Sequence, residues 1–332
     1  MQVCGVIVTY GDRFHLLSQV IDAILKERID KIVIIDNGSS ANTQTGIRKY
    51  SANVILHRFE ENKGTAIAFK TGIIRAIETS CEFIWLMDDD TLPVTGSLDQ
   101  LKDFWKNFSK IEKEKTTALC SYRKDRSNFV KAFANNNPDE ILPAKNNFAG
   151  FHIKNLFAKI RERINAGEKR PIEPIPGAAR IMAASYGGLL FHKDLVEKNG
   201  LPDESYFLYA DDFDFTYRIT KAGGEIWIVA NSVIHDLESS FYLPTKKNIL
   251  YHSAFDSPKD SSSYYALRNT VYFSKKFLLN NKFIYALNKF LFLTFITIIG
   301  ILRGKSKRLK LIYSAVKDGE KGRLGFNPEY KI

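Results

Sequence analysis

Over its first 120 residues the chain alternates apolar, β-branched runs with segments of helical periodicity, and this alternation restricts the fold more than any other feature. The strand-like runs are Val3 to Thr9, Lys31 to Asp36, Asn53 to His57, Phe83 to Met87 and Thr117 to Ser121. Between them lie patterns such as Phe14, Leu17, Ile21, Ile24 and Leu25, whose spacing gives a helix one apolar face. Strand, helix and strand at intervals of roughly 25 residues predict an α/β fold with a mostly parallel central sheet and helices on both faces. Ligands of such sheets bind beyond the carboxyl ends of the strands.

Those ends are polar here: Thr9-Tyr10-Gly11-Asp12, Asp36-Asn37-Gly38-Ser39, Glu61-Asn62-Lys63-Gly64 and Asp88-Asp89-Asp90. The four clusters are expected to converge on one crevice. In an extended segment alternate side chains share a face, so Asp88 and Asp90 are expected to point one way and Asp89 another. Two hard oxygen ligands at a strand end suit Mg²⁺ or Mn²⁺, the plain alternative being a solvated acidic turn. His235 is a candidate third ligand, although a lone histidine at a strand end is commonly structural. Neither GxGxxG nor GxxxxGK[ST] occurs, so a metal rather than a glycine loop must neutralise any bound phosphates. Asp36 and Asn37 suit the reading of a nucleoside, and DNGS is otherwise an ordinary turn.

A second acidic cluster lies in FLYADDFDFTYRITKAGG, residues 207–224. Asp211 and Asp212 are placed at a helix N-terminus, Phe215, Ile219 and Ala222 on its buried face, and Gly223 and Gly224 at its C-cap. Asp214 lies four residues before Arg218, the spacing of a helical ion pair. Capping accounts for one acid of the pair, which leaves the other as a general base beside Tyr206, Phe207 and Tyr209.

Further signals concern organisation. Ser97 with Gln100 reads as a capping box. Residues 122–176 form a polar insertion with a short amphipathic helix around Ile153 to Ile164. Beyond it a strand pair near Ile181 to Phe191, a helix from Asp211 to Ala222 and strands around Glu225 to His235 complete a domain of residues 1–240. Residues 241–332 form a helical region. Its segment Tyr285 to Leu302 is interrupted by Asn288 and Lys289, and the 13 residues after them fall short of the roughly 20 needed to span a bilayer. A helix lying in the membrane interface is expected, with a buried core helix as the alternative. The net charge of +11 concentrates beside it, at Arg303, Lys305, Lys307, Arg308 and Lys310. That location favours an anionic lipid surface and disfavours nucleic acid. The three cysteines are not spaced for a metal, which suits a reducing cytosol. The N-terminal run lacks the basic flank and length of a signal peptide.

Taken together, VIVTYGD (Val6 to Asp12), VIIDNGSS (Val33 to Ser40), NKGTAIAFKTGI (Asn62 to Ile73), WLMDDDTLP (Trp85 to Pro93), YGGLLF (Tyr186 to Phe191), YFLYADDFDFTYRITKAGG (Tyr206 to Gly224) and His235 resemble the inverting glycosyltransferases of family 2, which have the GT-A fold. YYALRNTVYF (Tyr264 to Phe273) and AVKDGEKGRLG (Ala315 to Gly325) look like the C-terminal region of bacterial members that build polysaccharides. DDD with a DDxD helix and a later histidine is most similar to galactofuranosyltransferases, with rhamnosyltransferases close by. The resemblance implies a UDP-sugar donor, foremost UDP-galactofuranose, and a divalent metal, Mn²⁺ or Mg²⁺, held by Asp88, Asp90 and His235. It implies that Asp36 contacts uridine, that Thr9, Tyr10, Asn37, Asn62, Lys63 and Asp89 complete the donor site, and that Asp212 is the base, supported by Asp211 and Asp214. Tyr186, Gly187, Gly188 and Tyr209 are candidates for a glycan or lipid-linked acceptor, a tight turn at the glycines being an equal explanation. The expected place of action is the cytoplasmic face of the membrane. A non-catalytic glycan-binding scaffold and a sugar nucleotidyltransferase are the competing classes, the latter lacking its glycine- and arginine-rich loop.

Overall fold

The computed structural model describes residues 1–52, 54–124, 126–135, 137–155, 177–238, 255, 257 and 259–331. The chain divides into two compact units. Met1–Ile141, Pro174–Phe207 and Asp211–Ser239 form the first, and Leu142–Glu173, Leu208–Ala210 and Ser240–Ile332 the second.

The first unit opens as β1 (Val3–Gly11), α1 (Phe14–Lys26), β2 (Lys31–Ser39), α2 (Ala41–Ile47), β3 (Val54–Phe59), α3 (Thr65–Ile77) and β4 (Phe83–Asp88), following the expected alternation. The four strands pair in parallel in the order β3-β2-β1-β4. β1 is buried from Val3 through Thr9 and β4 from Phe83 through Met87, the continuous apolar run that a strand covered on both faces requires. Leu17, Val20, Ile21 and Ile24 of α1 pack into that core.

Next come β5 (Thr91–Pro93), α4 (Ser97–Asn107), α5 (Lys113–Thr116), β6 (Thr117–Tyr122), α6 (Ser127–Ala134), β7 (Ala178–Ile181), β8 (Leu189–His192), α7 (Leu195–Asn199), α8 (Asp211–Lys221) and β9 (Glu225–Asp236). The sheet order is β3-β2-β1-β4-β8-β6-β9-β5, with β7 on β9. β8 runs antiparallel to both β4 and β6, and β9 antiparallel to β5 and β7, so the sheet is mixed rather than mostly parallel. β7 and β8, expected to pair with each other, take different partners. Gly188 permits this insertion. Its N–H donates to Leu86 O at 2.8 Å, its carbonyl accepts from Ser121 N at 3.0 Å, and a Cβ there would lie 2.5 Å from Ile234 Cδ1.

The expected capping box at Ser97 is absent. Gly96 is the N-cap residue, and the Ser97 hydroxyl instead donates to Val233 O at 2.7 Å. The buried Glu27 carboxylate takes the N–H groups of Gly96 and Leu98, each at 2.8 Å, and so anchors the start of α4 from α1's C-terminus.

The second unit contains α9 (Asp260–Phe273), α10 (Lys282–Leu302) and α11 (Ser306–Lys321). Arg268, buried on α9, lies over the rings of Tyr264 and Tyr265 and donates to Gly325 O at 2.7 Å and to Asn269 Oδ1 at 2.8 Å. This fixes the Asn269 amide, whose nitrogen donates to the carbonyls of Leu208 and Tyr209 at 2.7 and 2.9 Å. α10 runs through the polar interruption expected to shorten it. Asn288 donates to Asn146 O at 2.8 Å, and Lys289 pairs with Glu320. The expected amphipathic helix around Ile153 to Ile164 lies mostly outside the described residues.

Candidate active site

The three aspartates at the end of β4 do not follow strand alternation, because only Asp88 belongs to the strand and Asp89 and Asp90 turn away from it. Asp89 is 3% exposed and is fully engaged: Thr9 Oγ1 donates at 2.8 Å, Arg13 Nε at 3.0 Å and Arg13 Nη2 at 2.9 Å. The same guanidinium lies 3.3 Å from Asp90, 2.6 Å from Glu238 and over the Tyr10 ring. Arg13, on the β1–α1 turn, is thus the positive group paired with Asp89 and Asp90.

Asp88, the last residue of β4, has other contacts. Its Oδ2 is 3.5 Å from Thr91 Oγ1, and a Cβ on Gly187 would come within 2.8 Å of that oxygen and 3.1 Å of Arg123 Nη1. Burial first, and then the Asp90 carboxylate, push Asp88 up to about 7, with Arg123 opposing. Arg123, 2% exposed, donates to Ser185 Oγ at 3.0 Å and pairs with Asp236, which also accepts from Arg126 Nη2 at 2.6 Å. Sequence reading missed this group of Arg123, Arg126 and Asp236, since Asp236 lies 113 and 110 residues along the chain from the two arginines.

At the end of β2, Asp36 is fully buried and accepts from Ser39 N at 2.7 Å through Oδ1. Its Oδ2 has no hydrogen-bond partner among the described residues, Arg58 Nε standing 3.7 Å away. Asn37 joins β2 to the turn after β3: its amide donates to Asn62 Oδ1 at 3.0 Å and Gly64 O at 3.2 Å, and its carbonyl accepts from Lys63 N at 2.8 Å. The Lys63 ammonium is turned outward to Glu61.

The acid pair opens α8. Asp211 is 2% exposed and accepts from Thr65 Oγ1 at 3.1 and 3.2 Å. Burial and the neighbouring Asp212 push Asp211 well above the ordinary carboxylate range. Burial raises Asp212 to about 6, opposed by the Phe213 N–H and by Arg126 and Arg123. Of two adjacent carboxyls, the one that burial raises less is the better suited to act as a general base. Asp214 is different. Tyr206 Oη and Arg218 Nε donate to its two oxygens at 3.1 and 2.9 Å, and Arg218 also holds Leu201 O, so Asp214 locks α8 in place.

Among the acceptor candidates, Tyr186 is a packed ring, 4.2 Å from Phe69 and 6.2 Å from Phe215, and not an open floor. Gly187 borders Asp88, as described, while Gly188 belongs to the β8 insertion. Tyr209 falls in the second unit, where its hydroxyl donates to Ser262 Oγ at 3.3 Å.

For a metal, the donor set fits in part. Asp88 and Asp90 are hard oxygen donors at a strand end, and the raised proton affinity of Asp88 marks a site short of positive charge. His235 does not join them. It is exposed, opposite Leu92 on β9, and the alternation of the strand puts it on the face away from Asp236. Among the described residues no three His, Cys, Asp or Glu side chains are grouped to hold an ion.

A mixed α/β sheet with Asp36 and the aspartates of β4 at its strand ends, and a second acid pair opening α8, defines a GT-A fold, and residues 5–153 match the model described as glycosyl transferase family 2. That match covers just under half of the chain. The chain resembles galactofuranosyltransferase GlfT1 of Mycolicibacterium smegmatis, at 22% identity over 225 residues that span 67% of this chain and 66% of that one, just under two thirds of its length. Its fold is similar to that of S. aureus TarS 1–349 in complex with UDP-GlcNAc (TM-score 0.51, 14% identity, 96% of this chain and 80% of that one). It is similar also to GalNAc-T7 with UDP, GalNAc and Mn²⁺ (TM-score 0.50, 14% identity, 87% and 53%).

Proposed function

We propose that the protein transfers a sugar, foremost galactofuranose from UDP-galactofuranose, to a hydroxyl of a glycan or lipid-linked acceptor with inversion at the anomeric carbon. The observation that carries this reading is the acid pair that opens α8, Asp211 buried and held by the Thr65 hydroxyl with Asp212 half-buried beside it, the Asp212 carboxyl being raised to about 6 by desolvation. Asp212 takes the proton of the acceptor hydroxyl as that oxygen attacks the anomeric carbon. The bond to the nucleoside diphosphate breaks on the opposite side, and no covalent intermediate forms. The unsatisfied Oδ2 of Asp36 supports a role as acceptor for the donor's pyrimidine N–H. Asp88 and Asp90 would hold Mn²⁺ or Mg²⁺, which supplies positive charge to the departing diphosphate. The GlfT1 likeness supports the galactofuranose donor, and a rhamnosyl donor is the alternative on the same scaffold.

The test is nucleotide release from a panel of nucleotide sugars with Mn²⁺, beside Asp88→Ala/Asp90→Ala. Release from UDP-galactofuranose alone, lost in the double variant, is the expected result. Folded protein that neither binds nor turns over any donor overturns the reading and favours a glycan-binding scaffold.

A further inference from the structure

Three stretches separated in sequence meet in one packed layer of the first unit. Gly38 at the end of β2 lies against the β3–α3 turn, where a Cβ would come within 2.6 Å of Asn62 N and of the Glu61 carbonyl carbon. Asn37 spans the same turn by the three hydrogen bonds described above, and Gly64 N closes it on Asn62 Oδ1 at 2.9 Å. On its other side the turn carries the chain that leads into α8. A Cβ on Gly64 would stand 2.1 Å from Phe207 O, and Ala66 N points at that carbonyl at 3.4 Å. Beyond it Thr65 Oγ1 reaches both oxygens of Asp211. Phe207, Tyr209 and Ala210 have φ of 65°, 67° and 63°, so the backbone just before the acid pair is held in a conformation that residues with a Cβ avoid.

We propose that Thr65 is a positioning residue for the acid pair, holding Asp211 so that Asp212 keeps its aim, and that Asn37 fixes the turn that presents it. This rests on the reading of Asp212 as base. One hydroxyl shared between both oxygens of a carboxylate restrains its rotation, and Asp212, the next residue in the first turn of α8, moves with it. Because Asn37 follows the nucleoside candidate Asp36 directly, the turn also ties the donor end of the crevice to the base.

The experiment compares wild type, Thr65→Val, Thr65→Ser, Thr65→Ala and Asp212→Asn for Mn²⁺-dependent UDP release from UDP-galactofuranose, with Kd for UDP and Tm measured on each. Thr65→Val and Thr65→Ala are expected to lower kcat by about tenfold to a hundredfold with donor KM and UDP Kd within about twofold, and Thr65→Ser to restore most of the rate. Wild-type kcat in Thr65→Val while Asp212→Asn is inactive overturns the positioning role and leaves the base standing. A fully active Asp212→Asn overturns the base itself, and the positioning role with it. Equal loss of kcat, UDP affinity and Tm in all three Thr65 variants reduces Thr65 to a structural residue.

Discussion

At Asp88 and Asp212 the same physical cause, a carboxyl withdrawn from water, makes two different predictions. Asp212 must be ionised to accept a proton, so turnover is expected to fall about tenfold per pH unit below an acid limb near 6 and to be level above it. Asp212→Asn is expected to lose at least about a hundredfold in kcat with UDP binding kept, and a measured rate at pH 5 equal to that at pH 7 contradicts the assignment. Asp88 binds its proton more tightly in the folded chain, so its contribution to stability declines as pH rises from 3.8 toward about 7. Asp88→Asn is therefore expected to have a higher Tm than wild type at pH 8, with the gap closing by pH 4. Mn²⁺ is expected to raise the wild-type Tm at pH 8 and not that of Asp88→Asn/Asp90→Asn; a pH-independent gap, or equal shifts with metal, refutes the shared site. Residue chemistry was legible in part. The aspartates were found from their place after an apolar run. Their directions were not, because alternation holds only while the chain stays extended, and it leaves the strand at Asp89.

At the element scale, β1, β2, β4, β6, α1 and α8 were readable because each buries a continuous or periodic apolar set, whereas β3 buries none of its residues and was readable from its β-branched run alone. Contacts fixed by single backbone groups were not. The start of α4 depends on Glu27, 69 residues from Gly96, and no local pattern encodes it. β7 and β8 were readable as strands but not as to partner, since Gly188 permits β8 to enter between β4 and β6 through space rather than sequence spacing. The turn before α3 gives the sharpest test of such contacts. Gly64 has φ +86° and no room for a Cβ against Phe207 O, whereas Gly223 after α8 has φ +83° and nothing within 4 Å. Gly223→Ala is expected to cost about 1 kcal/mol from backbone strain alone, and Gly64→Ala about 3 kcal/mol or more, with the excess due to the collision. Equal losses of stability in urea unfolding would show that the turn yields and that the packed layer is loose.

On the scale of the whole molecule, the two units differ in what their surfaces leave in water. α10 buries Tyr285, Asn288, Phe292, Ile296 and Gly300 along one stripe and exposes Phe283, Phe290, Ile298, Ile301 and Leu302, at 77%, 66%, 53%, 68% and 80%. It is 21 residues long, long and apolar enough to cross a membrane by length and composition. The sequence suggested a shorter helix because Asn288 and Lys289 interrupt the apolar run, yet both find partners within the unit. One stripe committed to its own unit and one bare apolar stripe suit a helix lying in the interface better than one surrounded by lipid, and Arg303, Lys305, Lys307 and Lys310 are exposed just beyond it. Arg308, counted with them from sequence, is buried and paired with Asp260. The proposal of a membrane-surface anchor therefore predicts cosedimentation with vesicles containing phosphatidylglycerol. Replacing those four exposed cations with Gln is expected to weaken binding at least about tenfold, since each contributes about 1 kcal/mol near an anionic surface. Phe290→Ser/Ile298→Ser, which removes apolar contact and no charge, is expected to weaken binding at all salt concentrations, whereas the cation loss is expected to matter most at low salt. Equal binding of wild type to phosphatidylglycerol and phosphatidylcholine vesicles would reject the basic flank as the determinant, and no binding to either would reject the anchor.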